Sequence, residues 1–135
     1  MDNTRCKQRF ENFRLANQNL RETVNLIKNE GLNRVYIMAI VQAFEMSFEL
    51  AWKTMKDYLE YTGTIVENPR STIKEAFVQD IIQDGQLWIE MMEARNKTSH
   101  TYKEEFARQI AESIIKTYMP LLDSLEKILE LKIDE

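Results

Sequence analysis

Apolar positions along this chain recur at three- and four-residue steps, the period of an α-helix. Phe10, Phe13, Leu20, Val24 and Ile27 predict a first helix over about residues 4 to 29. Gly31 follows, where a glycine commonly ends a helix, and Asn33 can cap the next one. Ile37, Ile40, Val41, Phe44, Phe48, Trp52, Met55 and Leu59 form one long stripe on a second helix that Gly63 closes. Its polar side holds Glu49 and Lys53, an i,i+4 pair in the favourable order. Residues 63 to 70 read as the longest loop, marked by Gly63 and Pro69. Thr72-Ile73-Lys74-Glu75 then reads as a capping box opening a short helix, with Ile73, Ala76, Phe77 and Ile81 apolar. Asp84-Gly85 breaks the chain again. In the fourth helix that follows, Leu87, Trp88, Met91 and Met92 are apolar, and Trp88, Met91, Met92 and Arg95 share one face.

The last helix is expected from about Tyr102 to Leu131, with Phe106, Ile110, Ile114, Tyr118, Leu121, Leu125 and Ile128 as its stripe. Pro120 lies inside it. A proline there removes one backbone hydrogen bond and clashes with the carbonyl four residues back, which predicts a kink over residues 116 to 120. No segment alternates as a strand would. The pattern is all-α: an antiparallel bundle of long amphipathic helices around one core.

Composition narrows this only a little. With 135 residues and no compositional break, one domain over residues 1–135 is expected. The chain is 44% hydrophobic and 30% charged, a folded and helix-rich profile. Cys6 is the one cysteine, so no internal disulfide can form, and no Cys/His spacing suits a metal. A reducing, cytoplasmic setting without cofactor fits. Residues 1 to 12 are polar and charged, unlike a signal peptide, and no apolar run approaches the roughly 20 residues that span a bilayer. The net charge of −4 argues against a general nucleic-acid binder, so any RNA contact should be local.

The candidate chemistry sits in Arg95-Asn96-Lys97-Thr98-Ser99-His100-Thr101-Tyr102, which contains the lone histidine. Histidine moves protons near neutral pH, and arginine grips phosphate and stabilises charge building on it. The two together suffice to cleave an RNA phosphodiester without a metal. On one continuous helix, five residues at about 100° each would set Arg95 and His100 roughly 140° apart. Thr101-Tyr102-Lys103-Glu104 reads as a second capping box, so a new helix should start near Thr101. A corner between two helices could then aim both side chains at one place. The plain alternatives are an Arg95 ion pair with Glu90, Glu93 or a partner chain, an Asn96 that caps, and a Tyr102 that packs. Glu45 and Glu49, four residues apart, are a pair that could do acid–base work or hold a metal, but they read first as a solvated or interface face. Trp52, Trp88, Met91 and Met92 read as core or dimer interface rather than a cofactor pocket.

The runs Phe44 to Lys56, Lys74 to Phe77, Trp88 to Met92 and Arg95 to Tyr102 resemble the nucleotidyltransferase substrate-binding protein family, within the HEPN superfamily. The resemblance covers nearly the whole chain. It implies an up-and-down four-helix bundle, here with one additional short helix and a kinked last helix, commonly a homodimer. It also implies a partner, a minimal nucleotidyltransferase encoded nearby. Two functions come with it. In one, the Arg-x4-His motif marks a metal-independent ribonuclease toxin: Arg95, Asn96 and His100 match the catalytic positions, and Tyr102 matches a tyrosine that the partner silences by transferring AMP to it. In the other, the bundle is a non-catalytic subunit that presents substrate or nucleotide to the partner. Lys97 and Lys103 are expected general phosphate contacts, partly cancelled by Glu104 and Glu105. A twofold dimer would bring two Arg95/His100 pairs into one cleft and supply both an acid and a base.

Overall fold

Most of each apolar stripe becomes the inward face of a helix. Beyond Tyr118 the buried side of the last helix is Leu122, Leu125 and Leu129, and the expected Leu121 and Ile128 are only half-buried, because a π-helical turn shifts the register. A computed structural model of the chain describes residues 2–100 and 103–133, with the side chains of all of these except His100 and Glu104. The helices are α1 (Thr4–Glu30), α2 (Arg34–Tyr61), α3 (Pro69–Val78), α4 (Gly85–Lys97), α5 (Glu104–Ser113) and α6 (Met119–Ile133). A 3-10 turn, Thr98–His100, follows α4 directly, and a π-helical turn, Ile114–Tyr118, joins α5 to α6 without a break. The architecture is an up-and-down four-helix bundle of α1, α2, α4 and the α5–α6 rod, with α3 as the additional short helix.

Helix α2 is central and packs against each of the other five. Residues 31–33 alone separate it from α1, so the two lie antiparallel. Gly31 makes that turn at φ 88°, a region that favours glycine, and its N–H donates to the Ile27 carbonyl at 2.7 Å. Asn33 caps α2 as expected, its side chain accepting from Tyr36 N–H at 2.8 Å. Phe44 stacks on Tyr118 with ring centroids 5.5 Å apart, and Phe48 meets Trp88 at 6.3 Å. These contacts join α2 to the π-helical turn and to α4. Across the bundle, Arg21 reaches Asp123 at 2.8 Å and Glu126 at 3.1 Å, holding α1 to α6.

Several boundaries differ from expectation, each for a local reason. The short helix opens at Pro69 and not at Thr72. Asn68 is its cap: the side chain accepts from Ser71 N–H at 2.8 Å, and Ser71 Oγ accepts from Asn68 N–H at 3.2 Å. A proline at the first helical position needs no N–H there, so Asn68-Pro69 outcompetes the Thr72 box. Thr72 is instead fully buried inside the helix, bonded back to the Asn68 carbonyl at 2.7 Å. Phe77 is not on the apolar side: it is 49% exposed, and its ring closes over Gly85, where a Cβ would come within 3.1 Å. Trp52 is half-buried, off the centre of the stripe.

Helix α5 begins at Glu104, with Lys103 at the cap position and no side-chain cap bond, later than the Thr101 box predicts. Thr101 and Tyr102 lie outside the described residues. The Pro120 kink takes the form of the π-helical turn: Met119 N–H bonds to the Ile114 carbonyl, five residues back. The wider turn accommodates the ring that a tighter helix would press against the preceding carbonyls.

By length and composition α2 is also apolar enough to cross a membrane, its richest 18-residue window having a mean hydropathy of 1.2. The packing explains that stripe: Ile37, Ile40, Val41, Phe44, Phe48, Ala51, Met55 and Leu59 are all buried in the bundle.

Two predictions concern this core. Phe44→Ala removes both the Tyr118 stack and a fully buried ring, and should cost about 3–5 kcal/mol in urea denaturation. The second concerns Asp57, 7% exposed, with Oδ2 3.2 Å from Arg9 Nε but not aligned for a hydrogen bond. Burial raises its pKa, and Arg9 and Arg5 only partly oppose this. A carboxyl raised by folding stabilises the fold while protonated, and that contribution fades as pH rises through its folded pKa. Asp57→Asn should therefore gain stability relative to wild type as pH rises above the ordinary aspartate range of about 4 and through the raised folded pKa. The Arg9 pair forms only with ionised Asp57 and is already contained in that raised pKa, so a gap that stays flat with pH would contradict the assignment.

Candidate functional site

Arg95 lies in the last turn of α4 and reaches across to α2. Its Nη1 is 3.5 Å from Glu45 Oε2, and its Nε is 3.5 Å from Glu49 Oε1. Nη1 also donates to Thr98 Oγ1 at 3.2 Å. The Thr98 hydroxyl stands 2.6 Å from Glu45 Oε2 and 2.7 Å from the Arg95 carbonyl, and its single proton serves one acceptor at a time. Glu49 is held in turn by Trp52 Nε1, which donates to it at 3.2 Å, and by Lys53 Nζ at 3.9 Å.

The core sets this register. Phe48 pairs with Trp88 and Glu45 with Arg95, so positions fall along α2 as they rise along α4, as antiparallel helices require. Trp88, Met91 and Met92 are buried, and Arg95, on the same face, continues their line to the edge of the core. Arg95 is 27% exposed, so each ion pair is worth about 0–1 kcal/mol. What the pairs fix is orientation. Arg95 Nε is buried with no aligned hydrogen bond, and Nη2 makes no bond with any described residue. Among the described residues, the guanidinium therefore keeps one free donor edge.

In the sequence Glu45 and Glu49 read first as a solvated or interface face. They are the two carboxylates that hold Arg95, and the Glu49–Lys53 pair is present beside them. Glu90 and Glu93, the neighbours that spacing on α4 suggests, are not its partners among the described residues. No sequence signal distinguishes a carboxylate pair on α2 as an arginine clamp, although both glutamates fall within the Phe44 to Lys56 run.

His100 ends the 3-10 turn that follows α4, so the α-helix carrying Arg95 stops before His100. The His100 side chain and Tyr102 lie outside the described residues. Asn96 is exposed. Lys97 is exposed and lines a cleft of about 290 Å³ between α4 and the α5–α6 rod, together with Glu90 and Glu93. Those acids offset its charge. Lys103, exposed, stands at the start of α5, where the helix dipole disfavours a cation. On the opposite side of the corner, Glu45 and Thr98 border a second groove of about 300 Å³ with an apolar wall of Ile37, Met38 and Val41. Among the described residues, no cluster of three or more His, Cys, Asp or Glu could hold a metal ion. Cys6 is buried, its thiol pushed up to about 11 by burial and then by Asp57, and is unreactive.

Residues 8–131 match the profile of the family described as nucleotidyltransferase substrate binding protein like. The chain belongs to that family. Solved structures share its fold. A Haemophilus influenzae protein, described as having the fold of a substrate binding domain of a nucleotidyltransferase, is 24% identical with a TM-score of 0.80, over 90% of this chain and 98% of that one. A Thermus thermophilus protein is 28% identical with a TM-score of 0.70, over 82% of this chain and 98% of that one. A Shewanella oneidensis HEPN toxin, tri-AMPylated and in complex with an MNT antitoxin, is 9% identical with a TM-score of 0.75, over 97% of this chain and 99% of that one. No curated protein matches the chain.

The Thr98 hydroxyl links both ends of the clamp. Thr98→Val keeps the shape and removes the link, and should cost about 1 kcal/mol in denaturant unfolding. In a double-mutant cycle with Glu45→Gln the two losses should be less than additive; full additivity would mean the hydroxyl does not bond Glu45.

Proposed function

We propose that this protein is the helical-bundle member of a two-protein nucleotidyltransferase system and a metal-independent endoribonuclease, silenced by transfer of AMP to Tyr102. The observation that carries the reading is the oriented Arg95 guanidinium, one donor edge of which bonds no described residue, on the helix turn that leads into His100. The family description supports a partner nucleotidyltransferase, and the shared fold of an AMPylated HEPN toxin bound to its antitoxin supports the silencing step.

In this mechanism the neutral His100 imidazole takes the proton from a ribose 2′-OH. The 2′-oxygen attacks the adjacent phosphorus, the bond to the 5′-oxygen breaks, and that oxygen takes a proton. The products are a 2′,3′-cyclic phosphate and a 5′-hydroxyl. Arg95 stabilises charge on the pentavalent phosphorus, and Asn96 orients the phosphate. One protomer has one histidine, so the acid comes from His100 of a second copy in a twofold homodimer. The exposed line Val35, Met38 and Met46 along α2 supports such a contact. Met38 of this line borders the groove that ends at Glu45 and Thr98. AMP on Tyr102 would add bulk and negative charge two residues from His100 and repel the RNA phosphate.

A second reading, a non-catalytic subunit presenting substrate or nucleotide, is favoured by one observation: Glu45 and Glu49 of α2 already face Arg95 and compete with any phosphate. The two are separated by incubating the metal-free protein with bulk tRNA and mRNA. Cleavage by wild type that disappears in a folded His100→Ala variant is the expected result. RNA left uncut by both gives the presenting role precedence.

A further inference from the structure

The cleft between α4 and the α5–α6 rod has no part in the corner chemistry. At about 290 Å³ it lies near the lower limit of ligand pockets and suits one small planar molecule. Phe106 and Tyr118 give it aromatic surface, Glu90 and Glu93 stand on the α4 side, and Gln109 stands on α5. Lys97 closes the end nearest the Thr98–His100 turn. The wall is built firmly: Tyr118 is 9% exposed and stacks on Phe44 at an interplanar angle of 20°. The π-helical turn brings it there. Four-residue steps from Phe106 through Ile110 and Ile114 to Tyr118 drift by about 40° each on a regular helix, and the wider turn takes back part of that drift. Burial, and then the charge of Glu90, raise the Tyr118 phenol above its usual range, so it remains neutral and available as donor or acceptor.

Charge decides what such a cleft accepts. Two carboxylates against one lysine make it a poor phosphate site. An aromatic ring with N–H groups on its edge fits better, because the aromatic surface can stack and the carboxylates can accept. Guanine is the base with adjacent N1–H and N2 amino donors, which one carboxylate accepts together, and the Gln109 amide can donate to O6. Adenine and cytosine pair one amino donor with an acceptor, and uracil offers a single N–H between two carbonyls. We infer that this cleft is a base-binding subsite for guanine, next to the Arg95–His100 corner. Its place in catalysis rests on the proposed ribonuclease, but its binding does not. A guanine held there puts the neighbouring phosphate toward Lys97 and the corner, so RNA would be cut beside guanosine.

The test titrates the full-length protein with guanosine and adenosine, chosen because neither carries a phosphate, and follows binding by NMR. Guanosine should saturate the protein and bind about tenfold tighter than adenosine. The pair Glu90→Gln and Glu93→Gln together should abolish that preference, and Phe106→Ala should weaken both nucleosides about tenfold. Unchanged helical circular dichroism confirms that the variants fold. Equal binding of the two nucleosides, binding of neither, or a preference that survives the double substitution overturns the subsite. RNA cleavage is measured on the same samples. Guanosine binding in a protein that cuts no RNA keeps the subsite and removes the ribonuclease. Cleavage without guanosine binding does the reverse.

Discussion

The packing of Trp88 against Phe48 is the constraint on which the corner depends. It fixes the rotation and register of α4 on α2, and Arg95 inherits its position from that fit. A rotation of α4 by one residue, about 100°, would lift Trp88 from the core and carry Arg95 away from both glutamates. The ion pairs are weak in energy because the guanidinium is 27% exposed. Apolar burial supplies the precision, and the carboxylates hold the last few ångströms of a long side chain that would otherwise sample many rotamers. A site at the end of a buried stripe thus obtains rigid placement without being buried itself.

The same division explains what was legible in the sequence. The long helices could be read because each carries an apolar stripe that must face inward, and the stripes of α1, α2 and α4 name most of the buried residues. Gly31 and Asn33 were legible because their roles are local. Boundaries went astray where two local signals competed: Asn68 with Pro69 against the Thr72 box, and the later start at Glu104 against the Thr101 box. Pro120 announced a distortion but not its form, since whether a helix bends or widens depends on what the displaced residues meet. Here Tyr118 meets Phe44. Phe77 looked apolar by period, but its ring packs over Gly85 at the start of α4 and stays 49% exposed.

The candidate site divides in a similar way. Arg95, Asn96 and His100 stand close together in the chain, and the need for a corner followed from their spacing alone. The partners of Arg95 could not be read, because Glu45 and Glu49 lie on another helix about fifty residues earlier. Periodicity says which side of α2 is polar and nothing of what it faces. The family resemblance included both glutamates within a matched run without assigning them work.

Charge then connects the clamp to the rest of the surface. Arg95 and Lys53 are matched by Glu45 and Glu49, and Lys97 faces Glu90 and Glu93, so neither side of the corner presents a strong positive field. With a net charge of −4, long-range attraction cannot gather RNA to this protein. On the proposed reading, recognition would have to come from short-range contacts: the Arg95 edge that bonds no described residue, stacking, and hydrogen bonds to base edges. Such contacts discriminate among bases far better than phosphate attraction does, because every nucleotide carries the same phosphate. For the proposed ribonuclease, an arginine held between carboxylates on an acidic protein would mean few substrates, with local fit doing what bulk charge does in a basic nucleic-acid binder.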